Sequence, residues 1–327
     1  MRTTIKVHTL ILAALTAFIV APANAEEPKP WRHGVVEAKS DAGIVFMASK
    51  GGFAEKQGLN IEIKQFKGDT LALKALLAGE LDSYEGNPGS PLIAASRGAD
   101  IKLVGCYWPG LTYAIYSKPN INNVAELKGK TFAISAPGAL PDLVARAVLA
   151  QNKVAAADVK FTIMGSDADR FKALAAGIVD AAAASSGFAP AAQKAGVKLL
   201  VHAIEAVPNY VRFCIYMSGK TLAERKDDAA RFLAAEMAGF RHALASRDQT
   251  VELTREITHA KPDDPLPAFT YDEVKKYSAV DPKMPIPMDK LAWLRDLLVT
   301  TGNLTKPIDL DKFVDAEVRM KALQIAK

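Results

Sequence analysis

The chain repeats itself. Leu73 to Pro91, reading LKALLAGELDSYEGNPGSP, returns 98 residues later at Phe171 to Ala189 as FKALAAGIVDAAAASSGFA. Six of the first ten positions are identical: Lys74/Lys172, Ala75/Ala173, Leu76/Leu174, Ala78/Ala176, Gly79/Gly177 and Asp82/Asp180. An internal repeat constrains architecture more than any local propensity. Two copies are too few for a solenoid, so the repeat predicts two similar lobes. After each Asp the copies diverge, Tyr84–Asn87 in one and Ser185–Phe188 in the other. A shared framework with divergent loops is the pattern expected of two half-sites facing one ligand.

The order of elements recurs at the same offset. In the first unit, strands are expected at Trp31–Val36, Leu59–Phe66, Leu81–Tyr84 and Ile101–Tyr107, with helices at Ile44–Gln57, Leu71–Ala78 and Pro91–Arg97. In the second, strands are expected at Thr131–Ser135, Val159–Met164, Val179–Ala184 and Val197–His202, with helices at Pro141–Asn152, Ala168–Ala176 and Phe188–Lys194. Strands alternating with helices give right-handed βαβ units and a parallel sheet. Each lobe is therefore read as a small open α/β domain. Leu111–Pro119 and Val211–Gly219 read as two extended strands joining the lobes, a hinge. The expected first lobe is residues 31–115 with 217–327, and the second is 116–216. The last third is helical, with stretches at Leu222–Ser246, Met288–Thr301 and Leu310–Ile325, and is expected to cover the first lobe.

Residues 1–25 stand apart. Arg2 and Lys6 precede an apolar run, Leu10 to Val20, too short to span a bilayer, and Ala23-Asn24-Ala25 is a small-x-small cleavage site. This order reads as a secretory signal peptide cut after Ala25, with a periplasmic mature protein. Loss of Arg2 and Lys6 leaves 39 Lys and Arg against 36 Asp and Glu, a net charge of +3 with no basic run. Nucleic-acid binding is not indicated. Cys106 and Cys214 both fall in expected strands. Two buried free thiols are the expectation, because neighbouring strands rarely carry a disulfide; an oxidising compartment makes a bridge the alternative.

In open α/β sheets, ligands bind beyond the carboxyl ends of the strands. That rule selects Lys39–Gly43, Tyr84–Ser90, Ser135–Pro141 and Ser185–Phe188, with Tyr107-Trp108 beside them. The candidate ligand residues are Ser40 and Asp41 in the first loop, and Tyr84, Glu85 and Asn87 in the second. Trp108, then Ser135, Gly138 and Ala139, and finally Ser185 and Ser186, complete them. Ser135–Pro141 leads into a helix N-terminus, whose unpaired N–H groups favour anions, and Gly138 would let a ligand approach the backbone closely. Trp108 and Tyr107 read either as a stacking wall or as core. Glu85 suits an amino group and runs against a purely anionic ligand. Arg170 and Arg212 are candidate anion partners, with Arg170 expected instead on a solvated helix face. The five histidines are scattered, and no G-x-S-x-G, H-E-x-x-H or Walker sequence is present. No catalytic residue, cofactor or metal site is expected.

The segments GGFAEKQGLNIEI (Gly51–Ile63), LLAGELDSYEGNPGSP (Leu76–Pro91), GADIKLVG (Gly98–Gly105), NVAELKGKTFAISAPG (Asn123–Gly138) and LAAGIVDAA (Leu174–Ala182) together resemble the periplasmic solute-binding proteins of sulfonate, nitrate and taurine-type ABC transporters. The resemblance covers most of Gly34–Gly219. It implies the two-lobed type II periplasmic-binding-protein fold, a monomer, and delivery of a small solute to an inner-membrane ABC permease. Carried onto this sequence, the family's ligand contacts fall on Asp41, Asn87, Trp108, Ser135, Gly138 and Ser185. Three other readings stay open. One is a carrier of a thiamine-pyrimidine precursor or another aromatic nitrogen compound, favoured by Glu85 with Trp108 and Tyr107. Another is an enzyme resembling pyrimidine-precursor synthases on the same fold. The last is an extracellular sensor module.

Overall fold

A computed structural model describes residues 27–326. The expected signal peptide lies outside the described residues. Strands β1 (Lys29–Val36), β2 (Leu59–Phe66), β3 (Ser83–Gly86), β4 (Lys102–Trp108), β5 (Tyr113–Ser117), β6 (Thr131–Ile134), β7 (Lys160–Ile163), β8 (Ala181–Ser185), β9 (Lys198–His202) and β10 (Phe213–Met217) form two sheets. The first runs β2-β1-β3-β10-β4 and the second β7-β6-β8-β5-β9. The helices of eight residues or more are α1 (Asp69–Leu77), α2 (Gly89–Ser96), α3 (Leu140–Gln151), α4 (Asp167–Ala175), α5 (Lys226–Ala245), α6 (Arg247–Thr258), α7 (Leu266–Lys276), α8 (Met288–Thr300) and α9 (Ala316–Ile325). This is the expected two-lobed α/β architecture. The sheets are mixed, however. The βαβ units give parallel pairs of β1 with β2 and β3, and of β6 with β7 and β8. The two joining strands enter antiparallel, β10 between β3 and β4, and β5 between β8 and β9.

The identities of the repeat have physical reasons. Gly79 and Gly177 follow helices α1 and α4 with φ of 77° and 74°, where a side chain would be strained. Asp82 accepts a hydrogen bond from the backbone N–H of Arg32 at 2.8 Å, and Asp180 one from Thr131 N–H at 2.9 Å. In each lobe the shared Asp thus ties the third strand of the unit to the first. Ala75, Leu76, Ala173 and Leu174 are buried, while Lys74 and Lys172 are exposed.

Several expectations are corrected. The single helix Ile44–Gln57 is instead two short helices, Ala42–Val45 and Met47–Lys50, and a 3₁₀ turn, Glu55–Gln57. Gly51-Gly52 ends the helical run, with Gly52 at φ 76°. Leu310–Ile325 is broken at Val314–Asp315, where Asp315 accepts from Glu317 N–H and caps α9. The C-terminal helices pack on the first sheet but also reach the second lobe: α8 packs on both α2 and α3, and α7 packs on the turn Ser186–Phe188. Cys106 and Cys214 are not free thiols. They form a disulfide between β4 and β10, 108 residues apart in sequence. A register shift between Phe213 and Ile215 accompanies the bridge, with the two Cα atoms 3.8 Å apart. Among the described residues no helix is long and apolar enough to cross a membrane.

Candidate functional site

Six loops leave the carboxyl ends of the parallel strands toward one cleft. Four are those selected from the sequence. The other two follow β2 and β7: Lys67-Gly68-Asp69 and Gly165-Ser166-Asp167. They were missed, although the same strand-end rule selects them. Residues from both lobes line one cavity. Lys39, Asp69 and Asn87 come from the first-sheet side, and Ser135, Ser166, Asp167 and Arg170 from the second. Tyr113 and Arg212, from the two joins, complete it.

Of the candidates, Asn87, Ser135 and Ala139 line this cavity. Ser40 and Ser185 line its wider neighbour, which shares Lys39 and Asp167. Asp41 and Glu85 line a small recess behind Phe213. The remaining four do not border these spaces. Tyr84 is buried in the first lobe and stacks on Tyr216 at 5.1 Å. Trp108 is core: its ring lies 4.3 Å from the Arg212 guanidinium carbon and edge-on to Phe213, so it positions Arg212. Gly138 meets protein; a Cβ there would lie 2.7 Å from Ile93 and 2.9 Å from Asn303. Ser186 donates its hydroxyl proton to Glu273 of α7. Tyr107 also packs in the core, stacked on Phe240 at 4.4 Å, and donates to Glu85.

Arg170 overturns its expected place on a solvated helix face. It is 1% exposed and bonds to Asp167, to Tyr113 Oη at 2.7 Å and to Ala183 O at 2.8 Å. Asp167 also accepts from Tyr113 Oη at 2.6 Å and from Lys39 Nζ, across the cleft, at 2.8 Å. Burial alone would raise the Asp167 carboxyl, but Lys39 and Arg170 hold it well below the usual carboxylate range. Arg212 reaches Asp41 at 2.5 Å and Thr112 at 2.7 Å. At the N-terminus of α3, Asp142 is fully buried and accepts from Gly138 N–H at 2.8 Å and from Arg146 at 2.7 Å. Burial pushes Glu85 up to about 8, against the Tyr107 hydrogen bond, so it is a neutral acid at pH 7.

These facts give the cleft a specific electrostatic character. Two buried guanidinium groups, Lys39, Lys67 and the N-terminus of α3 could each attract an anion. Carboxylates of the chain itself occupy all of these but Lys67, which is exposed and in no ion pair among the described residues. The remaining polar groups of the cavity include Glu37, Asp69, Asn87, Ser135 and Ser166. Among the described residues no cluster of His, Cys, Asp and Glu suited to a metal ion is found.

A family model described as NMT1/THI5 like matches residues 39–250. The curated relatives that match include a Brucella abortus protein named only as a binding protein, 26% identical over 155 residues, which are 47% of this chain and 48% of that one. The chain thus spans about half the length of the curated relatives it matches. The alkanesulfonate-binding protein SsuA of Xanthomonas axonopodis pv. citri, solved with MOPS, superposes with a TM-score of 0.74 at 19% identity, over 89% of this chain and 99% of that one. The ligand-binding component of an ABC-type import system from Staphylococcus aureus, solved with zinc, gives 0.72 at 17% identity, over 90% and 99%. A desulfurization enzyme, DszB, gives 0.66 at 16%, over 91% and 100%. At these identities the structures establish the shared fold, which serves both binding proteins and an enzyme.

Proposed function

The chain belongs to the NMT1/THI5-like family, and from that premise we propose that it is the solute-binding component of an ABC importer. In this reading it works in the periplasm as a monomer. It clamps one small organic solute between the two lobes, which exchange at β5 and β10, and hands it to an inner-membrane permease. The observation that carries the reading is the cavity walled from both sides, with Asn87 facing it from one lobe and Ser135 and Ser166 from the other. Closure follows from differential contact of the solute with the open and closed forms. No catalytic step is part of the reading. The kinship with binding proteins of ABC importers agrees with it.

The solute class follows from how the charges are used. A sulfonate or nitrate would need an uncommitted cation or helix N-terminus; Asp167, Asp41 and Asp142 occupy Lys39, Arg170, Arg212 and the start of α3, and leave the exposed Lys67. A polar nitrogen compound, such as a pyrimidine precursor of thiamine or another aromatic nitrogen compound, needs hydrogen-bond acceptors and donors in a partly apolar cavity. Asp69, Asn87, Ser135 and Tyr113 supply them beside Phe213 and Leu140. The test is a thermal-shift screen of the mature protein with pyrimidines, aromatic amines, sulfonates and nitrate. A nitrogen heterocycle should raise Tm by mass action. A shift with sulfonates or nitrate alone would replace the solute class. No shift with any solute, together with turnover of one of them, would defeat the transport reading.

A further inference from the structure

Three groups converge on one carboxylate at the cavity wall. Asp167 is 5% exposed and opens α4. Its Oδ2 meets Lys39 Nζ at 2.8 Å, and its Oδ1 accepts from Tyr113 Oη at 2.6 Å and from Arg170. Arg170 and Tyr113 are themselves bonded at 2.7 Å. Two cations and a hydroxyl around one set of oxygens, at the start of a helix, are the partners an oxyanion would choose. The set also borders the space a ligand would enter.

The repeat shows that this cradle is an addition to the framework. At the offset of 98 residues, Asp167 corresponds to Asp69, which likewise opens its helix and borders the same cavity. Arg170 corresponds to Ala72. Among the described residues no ion pair involves Asp69, whose carboxyl burial pushes up to about 7, while Asp167 is held low. An acid at this position therefore does not require an Arg one turn later for the lobe to fold.

We propose that Asp167 sets the charge class of the solute: its carboxylate fills a built-in oxyanion cradle of Lys39, Arg170 and Tyr113, so the cleft rejects anionic ligands at this end. This deepens the solute-binding reading and rests on it. An incoming sulfonate, carboxylate or phosphate finds the cradle filled by the chain's own carboxylate, whose oxygens already hold the hydrogen bonds the anion would need. A neutral or N–H-bearing group meets no such penalty. Removing the carboxylate leaves Lys39 and Arg170 with no internal carboxylate partner and opens the volume that an oxyanion fills.

The experiment is calorimetric titration of wild type and Asp167→Ala with methanesulfonate and with sulfate at constant ionic strength. The wild type should show no saturable binding of either, and Asp167→Ala should bind both at least about tenfold more tightly. Adding Arg170→Gln should abolish the gain. An Asp167→Ala protein no tighter than wild type, or a gain that survives Arg170→Gln, overturns the proposal. So does a wild type that binds methanesulfonate with the affinity of the variant. If Asp167→Ala does not fold, Asp167→Asn, which keeps the shape and removes the charge, is titrated with the same expected and overturning results. These outcomes are independent of the solute screen. A wild type that answers to no screened solute counts against transport and leaves the anion titration readable.

Discussion

Glu85 shows how much one buried side chain can do. Its folded pKa, about 8, lies above the ordinary value of 4.5 because of burial, so folding binds its proton. That contribution is complete below pH 4.5 and is lost as pH rises through about 8. Within that window the folded state holds a proton that the unfolded state has released, so stability falls with pH at about 1.4 kcal/mol per unit for this group. His33, pushed down to about 3 by burial, works in the opposite sense, but only up to its ordinary value of 6.5. Urea midpoints of the wild type should therefore fall between pH 6.5 and 8, and those of Glu85→Gln should fall less. Equal slopes would show that Glu85 is already ionised. At this scale the sequence was half legible. Glu85, Asp41 and Arg212 stand at strand ends, which is why they were candidates. That Asp41 and Arg212 satisfy each other across 171 residues is a fact of the folded chain, and so is the recess Asp41 shares with Glu85.

At the scale of elements, the strands and the longer helices were legible because period-two and helical patterns, Gly C-caps and the repeat all agreed. What was missed depended on who lies beside whom. Cys106 and Cys214 looked like buried free thiols because neighbouring strands rarely carry a disulfide, and nothing local says that β10 inserts against β4 with a register shift at the cysteine. The insertion places the two cysteines side by side and turns them into a covalent staple. The loop it closes is 108 residues long, for which denatured-state entropy suggests about 3–5 kcal/mol. A Cys106→Ala/Cys214→Ala variant should unfold at lower denaturant by that order while keeping the same fold by circular dichroism. A variant as stable as wild type would mean that the bridge adds nothing beyond packing. The two overlooked loops have a similar lesson. Lys67–Asp69 and Gly165–Asp167 look like plain strand-to-helix turns, and only the parallel pairing β1/β2 and β6/β7 turns them toward the cleft.

At the scale of the whole molecule, the lobes meet through small residues and hydroxyls. Gly138 of the second lobe sits at φ 73° against Ile93 and Asn303, and its carbonyl packs on Gly89. Ser186 of the second lobe donates to Glu273 of the first, and the neighbouring Gly187 packs on Ser40 and Thr270. Gly138→Ala needs a positive φ and space that protein already fills, a cost of about 1–3 kcal/mol. Because that space belongs to the other lobe, the substitution should also enlarge the radius of gyration in X-ray scattering. A loss of stability with unchanged dimensions would confine the strain to the loop. The route of the chain also fixes a sequence of events in time. Strands β5 to β9 come from one uninterrupted stretch, so the second sheet can assemble as soon as residues 113–202 exist. The first sheet cannot. Until residues 213–217 arrive, β3 and β4 lack the strand between them, a gap of about 10 Å. The lobe that is synthesised first is therefore the one completed last, and Cys106 waits through more than a hundred residues of synthesis before its partner appears.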